Sequence, residues 1–463
     1  MSHPVHSVSW NLTQRCNLFC THCYMSAFSG AETSQELETS DCFRVMDEMA
    51  RINPNLFLIL TGGEPLVRRD IFDIAAYGTD KGFTCVLGTN GVLLGREEAK
   101  KMRQSGLAGA SISLDSVDAE KHDRFRKLAG SWRGALRGID ALKGEGLDFS
   151  LHMSVMAWNV DEIPAMIELA HRLGAKVLNF FFLVQTGRGQ DIIDIAPDQY
   201  ERILTYLARM QRADLSPELE AASPLQEKTA EDDPWTIPIG RSNGVMLRAK
   251  CAPHFRRILY QMDPHSQWLG NYAQGGCPAA KHYCRITPEG NITPCPYMPV
   301  VAGNLKQQSF DDIWNHSPIL ADLRTPTFGG RCGACEFSEI CGGCRCRAYA
   351  VYGDYLAEDP ACAYQPGSWG GVRVHLSEEQ TFGLSVHLGL VWSNAAKARL
   401  DRLPSFARGM VSKSVERYAR EHQITEITPE LMQEVRSEAE KKSGRTFEFS
   451  QFARTTADTL PIA

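Results

Sequence analysis

The sequence predicts an α/β fold built around a mainly parallel β-sheet, and three observations lead to this prediction. Short apolar runs alternate with amphipathic stretches over roughly the first 205 residues. The amphipathic stretches have helical length and spacing, which is typical of strands joined by crossover helices. Polar or glycine-rich motifs follow several apolar runs, and parallel α/β folds bind ligands at the carboxyl ends of their strands. The pattern alone is compatible with either a barrel or an open sheet.

Six strands and five helices are predicted in this region. Thr39 and Ser40 are in position to cap the first helix, and Asn159 the last. The predicted helices span residues 40–52, 70–81, 96–106, 133–145 and 161–173. The predicted strands are Val5–Trp10, Leu56–Leu60, Thr84–Leu87, Gly109–Leu114, Phe149–Val155 and Val177–Leu183.

The length indicates the number of domains, and the net charge argues against nucleic-acid and membrane binding. The 463 residues are enough for about three domains, and 43% hydrophobic residues fit globular cores. The net charge of −6 offers no basic field to nucleic acid or to an anionic membrane. Because the sequence has no long apolar run and no charged-then-apolar leader, we expect a cytoplasmic protein without a membrane span.

The fifteen cysteines point to metal chemistry. Their odd number argues against a complete disulfide set, and in a reducing compartment clustered cysteines are more often metal ligands. Cys16, Cys20 and Cys23 follow the first predicted strand. Three thiolates can hold three irons of a [4Fe–4S] cubane and leave the fourth iron open to a small molecule. A zinc site is the alternative for these three cysteines.

Further motifs follow the other predicted strands. Because the carboxyl ends of parallel strands meet at one edge of a sheet, these motifs predict a single pocket. They are Thr61-Gly62-Gly63-Glu64-Pro65, Gly88-Thr89-Asn90-Gly91, Ser113-Leu114-Asp115 and Gln185-Thr186-Gly187-Arg188-Gly189.

The motif Cys16-x3-Cys20-x2-Cys23, followed in order by Gly62-Gly63-Glu64-Pro65 and Ser113-x-Asp115, resembles the radical S-adenosylmethionine (SAM) superfamily. The resemblance implies a partial (β/α)6, TIM-like barrel, which agrees with the six predicted strands. It also implies that the open iron binds the amino and carboxylate groups of SAM. An electron from the cluster would split SAM into methionine and a 5′-deoxyadenosyl radical, which abstracts a hydrogen atom from the substrate. The three cysteines would then be the catalytic cluster ligands.

The same resemblance assigns residues to the SAM pocket. Exposed glycine amides would meet the amino-acid end of SAM, and Glu64 would be a contact or a support behind the contacts. Arg126 would lie near SAM or be a surface charge, and ordinary turns are the alternative for the glycine motifs. The expected SAM-pocket residues are Tyr24, Gly62, Gly63, Glu64, Asn90, Ser113, Asp115 and Arg126.

A second group of cysteines resembles the SPASM extension of radical SAM enzymes, which carries two auxiliary [4Fe–4S] clusters. Carried over from that family, one cluster would be held by Cys277, Cys284, Cys295 and Cys344, and the other by Cys332, Cys335, Cys341 and Cys362. The spacing from Cys341 to Cys344 is one residue shorter than in the family, and Cys346 lies close by. The choice between Cys344 and Cys346 therefore stays open, as does the number of complete auxiliary clusters, one or two. Structural zinc is the alternative.

The substrate is indicated by local similarities. Residues 180–189 and 251–257, with 341–350, resemble the subgroup that modifies heme precursors, in heme d1 synthesis and in the alternative heme pathway. Tetrapyrroles of this class carry propionate or acetate groups, and arginines bind carboxylates well. The candidate substrate residues are Arg188, Cys251, His254, Arg256 and Arg257. An exposed helix face is the alternative for the arginine pair, and a buried inert thiol for Cys251.

Residues 371–463 differ in composition, with no cysteine and many charges. Three helices are predicted there, at about 391–402, 405–421 and 429–443. The stretch from Trp392 to Thr428 resembles the C-terminal helical domain of light-independent protochlorophyllide reductase, which also acts on a tetrapyrrole. A docking or dimerisation domain is the alternative.

The sequence therefore predicts four regions and one function. The regions are a radical SAM barrel at 1–205, a polar connector at 206–275, a SPASM domain at 276–370 and a helical domain at 371–463. The function is hydrogen abstraction from a tetrapyrrole side chain, followed by decarboxylation, side-chain loss or oxidation. Ferredoxin or flavodoxin would supply electrons. The alternatives are a peptide or protein maturase of the same superfamily and a non-enzymatic electron carrier.

Overall fold

The computed structural model describes residues 5–215, 244–265, 269, 271–272, 276–376, 381–382, 390–403 and 405–443. Two compact units divide the chain, Met1–Leu384 and Ser385–Ala463.

Ten described strands of the first unit form one sheet. Its order is β11-β10-β9-β1-β2-β3-β4-β5-β6-β7, and β1 to β7 are all parallel to their neighbours. On the other side of β1, β9 is parallel and the short β10 and β11 are antiparallel. The strands are β1 (Ser7–Asn11), β2 (Phe57–Thr61), β3 (Thr84–Thr89), β4 (Gly109–Ser113), β5 (Asp148–Val155), β6 (Val177–Phe182), β7 (Met246–Lys250), β8 (Asn271–Tyr272), β9 (Tyr283–Ile286), β10 (Asn291–Thr293) and β11 (Gly303–Asn304). The two-residue β8 pairs separately with β12 (Thr381–Phe382).

Helices connect the parallel strands, so the first unit is a partial TIM-like barrel. The barrel helices are α1 (Thr39–Ile52), α2 (Ile71–Asp80), α3 (Arg96–Gln104), α4 (Ala119–Arg126), α5 (Ser131–Gly144), α6 (Ile163–Leu173), α7 (Pro197–Leu215) and α8 (His254–Met262). Four short helices follow among the later cysteines: α9 (Phe310–His316), α10 (Pro318–Arg324), α11 (Gly330–Ala334) and α12 (Arg345–Tyr352).

The six predicted strands and five predicted helices are confirmed, with ends that differ by one or two residues. The helix caps observed in the structure differ from the predicted ones. Thr39 is the first residue of α1 and its hydroxyl donates to Asp70 Oδ2 at 2.6 Å, while Asp41 accepts the Glu38 amide at the helix start. Asn159 braces a turn instead, since its Nδ2 donates to the carbonyls of Asp115 and Ser154 at 2.8 Å.

The predicted connector contains regular structure that the sequence interpretation missed. α7 runs across residue 205, β7 joins the sheet beside β6, and α8 follows directly. Residues 227–234, taken as the least ordered part of that connector, lie outside the described residues.

The sheet has an apolar outer face and a mixed, more polar inner face, which also carries Phe57, Ile59, Val86 and Phe181. In-register partners of neighbouring strands point the same way, and successive residues alternate between faces. Val8, Leu58, Cys85, Leu151 and Leu247 are buried members of the outer face, which the helices cover. The inner face carries Ser9, Asn11, Thr61, Ser111, Ser113, Ser150, His152, Asn179, Arg248 and Lys250. The core therefore lies outside the barrel strands, and the inner face is left for ligands.

The described residues of the second unit form three helices, as predicted. They are α13 (Asn394–Asp401), α14 (Ser405–Glu421) and α15 (Pro429–Ser443). α13 starts later than predicted because Val391–Trp392 (β13) pairs in parallel with Glu426–Ile427 (β14), and Ser393 caps the helix through its hydroxyl. Ala396, Val415, Ala419, Ile427 and Leu431 form a small buried core within the unit.

Among the helices of the described residues, none combines the length and the apolar character that a membrane crossing requires.

Candidate functional site

The three predicted catalytic cysteines lie on the loop that follows β1. Cys16 and Cys20 are buried, Cys23 is half-buried, and the thiols act electrostatically on one another. Backbone amides point at two of the sulfurs, with Leu18 N 3.3 Å from Cys16 Sγ and Ala27 N 3.4 Å from Cys23 Sγ. Burial raises the pKa of Cys16 to about 12, so this thiol keeps its proton until a metal displaces it. The group fits an iron–sulfur cluster with three protein ligands.

The Gly62-Gly63-Glu64 turn packs directly on this loop. The amides of Gly63 and Glu64 donate to the carbonyls of Thr13 and Arg15 at 2.8 and 2.9 Å. A Cβ on Gly63 would lie 2.3 Å from the Arg15 carbonyl oxygen, so only glycine allows this approach. The Gly63 amide is thus paired within the protein, and contact between the glycine turn and SAM stays a prediction.

Glu64 supports the pocket from behind. Its Oε1 accepts from the Thr89 hydroxyl at 2.7 Å, and its Oε2 accepts from the Asn90 amide at 2.9 Å. Burial raises the pKa of Glu64 to about 7, although these hydrogen bonds lower it. The Asn90 side chain in turn donates to Asn17 Oδ1 at 2.8 Å, within the cysteine loop. Glu64 thus joins the ends of β2 and β3 to that loop.

Asp115 and Arg126 form a buried ion pair beside the cysteines. Arg126 Nε donates to Asp115 Oδ2 at 2.6 Å, and Arg126 Nη1 lies 3.8 Å from Cys20 Sγ. The Ser154 amide donates to the other carboxylate oxygen at 3.0 Å. Burial alone would raise the pKa of Asp115, but Arg126 and the nearby histidines hold it well below its usual range. The pair is therefore charged and orients the loop.

The remaining predicted SAM-pocket residues lie near the same loop and the inner face. The Tyr24 hydroxyl accepts from Asn11 Nδ2 at 2.8 Å, and its ring meets Tyr297 edge-on at 5.3 Å. Ser113 is half-buried on the inner face and pairs in register with His152. The structure thus brings all eight residues to the carboxyl ends of β1 to β4.

The second predicted auxiliary set is gathered around one cavity. Cys332, Cys335, Cys341 and Cys362 all line it, with His254 and Asp359. The Gly343 amide donates to Cys341 Sγ at 3.5 Å and the Asp359 amide to Cys332 Sγ at 3.4 Å. Four thiols with amide donors fit a fully ligated [4Fe–4S] cluster.

The first predicted auxiliary set is only partly gathered. The Cys277 thiol lies within electrostatic reach of Cys295 and Cys344, and the Cys346 thiol lies within reach of the same two cysteines. Cys284 does not join them. It pairs in register with Val8 on the outer face of the sheet and is completely buried there.

The described residues contain no group of three histidine, cysteine or acidic side chains close enough to share a single metal ion. A cubane places its protein sulfurs farther apart than a mononuclear site does, because the irons and bridging sulfides lie between them.

Most of the predicted substrate residues have structural partners instead. Arg188 donates to the carbonyls of Cys20 and Ala27 at 2.9 and 2.8 Å, so it holds the cysteine loop. His254 is buried with its Nε2 3.1 Å from Asp359 Oδ2, at the second auxiliary set. Arg257 is bound to Glu201 and Gln261. Arg256 donates to the Leu269 carbonyl at 3.2 Å.

Two inner-face cations were missed by the sequence analysis. Arg248 and Lys250 alternate along β7, in register with Asn179 and Phe181 of β6. Burial lowers the pKa of Lys250 to about 8, with a further contribution from Arg248, and burial also lowers the pKa of Arg248. The Arg248 side chain nonetheless reaches solvent from the inner face of the sheet. Period-two alternation in Met246-Leu-Arg-Ala-Lys250 was the signal available in the sequence.

Comparison with known families agrees with this geometry. The Radical SAM superfamily matches residues 10–170, and the SPASM iron–sulfur cluster-binding domain matches residues 277–345. The proto-chlorophyllide reductase 57 kD subunit family matches residues 392–436.

Individual relatives extend the match along the chain. The AdoMet-dependent heme synthase of Methanosarcina barkeri is 38% identical over 79% of this chain and 99% of its own length. The pre-heme d1 synthase of Dinoroseobacter shibae is 31% identical over 78% of this chain and 86% of its own. Among solved structures, Streptococcus suis SuiB bound to S-adenosylmethionine has a TM-score of 0.58 at 14% identity, covering 78% of this chain and 77% of that one. This likeness shows the fold.

The site and the comparisons lead to one conclusion. The site contains the cysteine loop, the glycine turn packed on it and the auxiliary cysteines, and the relatives match most of the chain. This chain belongs to the radical SAM superfamily, in the branch of AdoMet-dependent heme synthase, and is a SAM-dependent enzyme with a [4Fe–4S] cluster and a SPASM iron–sulfur domain.

Proposed function

We propose that this enzyme removes or oxidises a carboxylate-bearing side chain of a tetrapyrrole, a heme, heme d1 or chlorophyll-type precursor. The observation that carries the proposal is the pair of cations on the inner face of β7, Arg248 and Lys250. The names of the two relatives, a heme synthase and a pre-heme d1 synthase, support the same substrate class.

The two cations suit the acidic groups of such a substrate. Within the described residues, no carboxylate forms an ion pair with Arg248 or Lys250, and Arg248 donates only to the Met246 sulfur at 3.0 Å. The repulsion between the Arg248 and Lys250 charges, in a partly desolvated place, raises the free energy of the site until an anion binds. A tetrapyrrole propionate would supply that anion, and Arg248 could hold it through two parallel hydrogen bonds.

The polar inner face can hold the rest of the substrate. His152 is half-buried and lies between β4 and β6, in register with Ser113 and Asn179. Its ring packs against Phe181 at 4.9 Å, and burial lowers its pKa to about 3. A neutral imidazole beside an aromatic ring suits contact with a flat macrocycle.

Cys16, Cys20 and Cys23 would hold the catalytic cluster, which with SAM supplies a 5′-deoxyadenosyl radical. The protein's own part is positioning. Arg126, Arg188 and the Gly63 turn fix the cysteine loop. The SAM-pocket residues proposed here are Tyr24, Gly62, Gly63, Glu64, Asn90, Ser113, Asp115 and Arg126.

In this proposal the substrate side chain is a propionate, with two carbons between the ring and the carboxylate. Loss of a hydrogen atom from the carbon next to the ring, followed by loss of carbon dioxide and one electron, leaves a vinyl group. The electron needs an acceptor, and the cysteines of the SPASM domain would hold clusters able to take it. We further propose a ferredoxin or flavodoxin as the electron donor and the cytoplasm as the compartment, because free thiols need reducing conditions.

The proposed domains keep the limits predicted from the sequence, at residues 205, 275 and 370. The helical region after 370 would assist tetrapyrrole binding or docking, and the family matched at 392–436 supports the first role.

The test is anaerobic incubation of the reconstituted full chain with SAM, a reductant and three substrate classes, read by mass spectrometry. The classes are iron tetrapyrroles with free propionates, their methyl esters, and ribosomal-type peptides. We expect mass loss only from free propionates. Modification of a peptide without any change in the tetrapyrroles would instead support a maturase.

A further inference from the structure

The family spacing assigns Cys284 to the first auxiliary cluster, and the structure disagrees with that assignment. In β9, Tyr283 and Arg285 face inward, where Arg285 donates to Asn11. Cys284 faces the opposite way with Val8 and is completely buried. The Arg324 guanidinium lies within electrostatic reach of the Cys284 thiol. Reaching the other thiols would require β9 to turn over.

A different cysteine lies with the incomplete set. Cys251 directly follows β7, and Arg347 Nη2 donates to its carbonyl at 2.9 Å. Arg347 is three residues after Cys344, and it also pairs with Asp359 at 3.0 Å. The Cys344 amide donates to the same Asp359 oxygen at 2.6 Å. This network fixes the main chain of Cys251 beside the helix start that presents Cys344 and Cys346.

The backbone of Cys251 has an unusual conformation that directs its side chain. An extended continuation of β7 would point residue 251 to the outer face, since Lys250 points inward. Cys251 instead has a backbone φ of +60°, in the left-handed region that residues other than glycine rarely adopt. Strain of this kind persists where the surrounding structure requires it, and such positions cluster at functional sites.

The Cys251 thiol lies near the cysteines of the incomplete auxiliary set. It lies within electrostatic reach of the thiols of Cys344, Cys295 and Cys277. Cys284, in register with Val8, faces the outer side of the sheet. Four thiols on one side of the sheet fit a complete cubane.

We propose that Cys251, and not Cys284, completes the auxiliary iron–sulfur cluster that Cys277, Cys295 and one of the neighbouring pair Cys344 and Cys346 hold. The cluster would then join the carboxyl end of the last parallel strand to the SPASM domain. This places it beside Lys250, at the end of the strand that carries the proposed substrate cations.

The test uses the full chain with Cys16, Cys20 and Cys23 replaced by alanine, so that only auxiliary clusters form. After anaerobic reconstitution this background should contain about eight irons per chain. Adding Cys251→Ala should remove up to about four irons, or leave a labile three-iron cluster visible by EPR. Adding Cys284→Ala, the matched buried control, should leave iron and sulfide unchanged. Loss of a cluster from the Cys284 variant with retention in the Cys251 variant would overturn the proposal.

A second variant covers the case in which Cys251→Ala fails to fold, which far-UV circular dichroism reports. Cys251→Ser keeps the size and offers an oxygen ligand. We expect its auxiliary cluster to keep iron but to change its Mössbauer parameters and the g values of the reduced state. Spectra identical to those of the background would contradict ligation by residue 251.

Discussion

Arg126 connects the end of β4 to the catalytic cysteines, because its guanidinium lies 2.6 Å from Asp115 Oδ2 and 3.8 Å from Cys20 Sγ. Both residues are buried, and α4 supplies the arginine from a helix that the sequence pattern did not reveal. The pair makes the loop geometry depend on a strand more than ninety residues away in the chain.

The first prediction concerns this pair. Asp115→Asn leaves the buried Arg126 charge without its carboxylate, and breaking a buried pair costs about 3–5 kcal/mol. We expect less iron at the three-cysteine site and SAM binding weakened at least tenfold, measured by iron analysis and calorimetry. Asp118→Asn, an exposed residue three positions along, is the control. Equal SAM affinity in both variants would remove the positioning role.

A second prediction concerns the glycine turn. Gly63→Ala should disrupt packing on the cysteine loop, because the new Cβ would lie 2.3 Å from the Arg15 carbonyl oxygen. Cluster content and SAM cleavage should both fall sharply. Gly144→Ala is a matched control in a helix, where a Cβ has nothing within 4 Å. A Gly63 variant with wild-type cluster content would show that the turn can shift without consequence.

The third prediction tests the inner-face cations. Arg248→Gln removes one charge-assisted interaction with a substrate carboxylate, worth about 1.5–3 kcal/mol. Tetrapyrrole affinity should fall roughly 10- to 150-fold by that estimate. Uncoupled SAM cleavage, measured as 5′-deoxyadenosine without substrate, should be unchanged. Arg137→Gln, on an exposed helix face, should alter neither quantity. The carboxylate role is refuted if affinity survives in the Arg248 variant.

A fourth prediction follows from His122, which is buried and accepts the Asp115 amide through Nδ1 at 3.2 Å. Burial, followed by Arg126, lowers its pKa from 6.5 to about 4. The stability that the neutral ring contributes is therefore present above about pH 6.5 and is lost as the pH falls toward about 4, at most about 3 kcal/mol.

His122→Asn keeps an acceptor but cannot titrate, so its thermal midpoint should fall less between pH 6.5 and 5 than that of the wild type. His171→Asn, at an exposed position, should follow the wild type. Parallel curves for all three proteins would show that His122 does not carry this pH dependence.

Much of the barrel could be predicted from the sequence because its outer face is consistently apolar. Val8, Leu58 and Leu151 belong to strands whose burial comes from one covered face, and glycine or polar motifs mark where those strands end. The cysteine loop was recognisable because ligand spacing is a local property of the chain.

The seventh strand was missed because Met246–Lys250 carries two charges. Charges argue for an exposed connector unless the inner face of a barrel is there to receive them. The protein partners of the arginine and histidine candidates could not be predicted for a related reason, since pairing with Glu201, Asp359 or a loop carbonyl depends on long-range geometry. Family spacing likewise could not show which way Cys284 points from β9.

The most direct test of the central claim is the fate of the abstracted hydrogen. The reconstituted enzyme is incubated anaerobically with SAM, a reductant and an iron tetrapyrrole whose propionates carry deuterium next to the ring. We expect 5′-deoxyadenosine that is heavier than the unlabelled compound by a single mass unit, together with a tetrapyrrole that has lost carbon dioxide. Unlabelled 5′-deoxyadenosine beside a decarboxylated product, or no turnover of any tetrapyrrole, would contradict it.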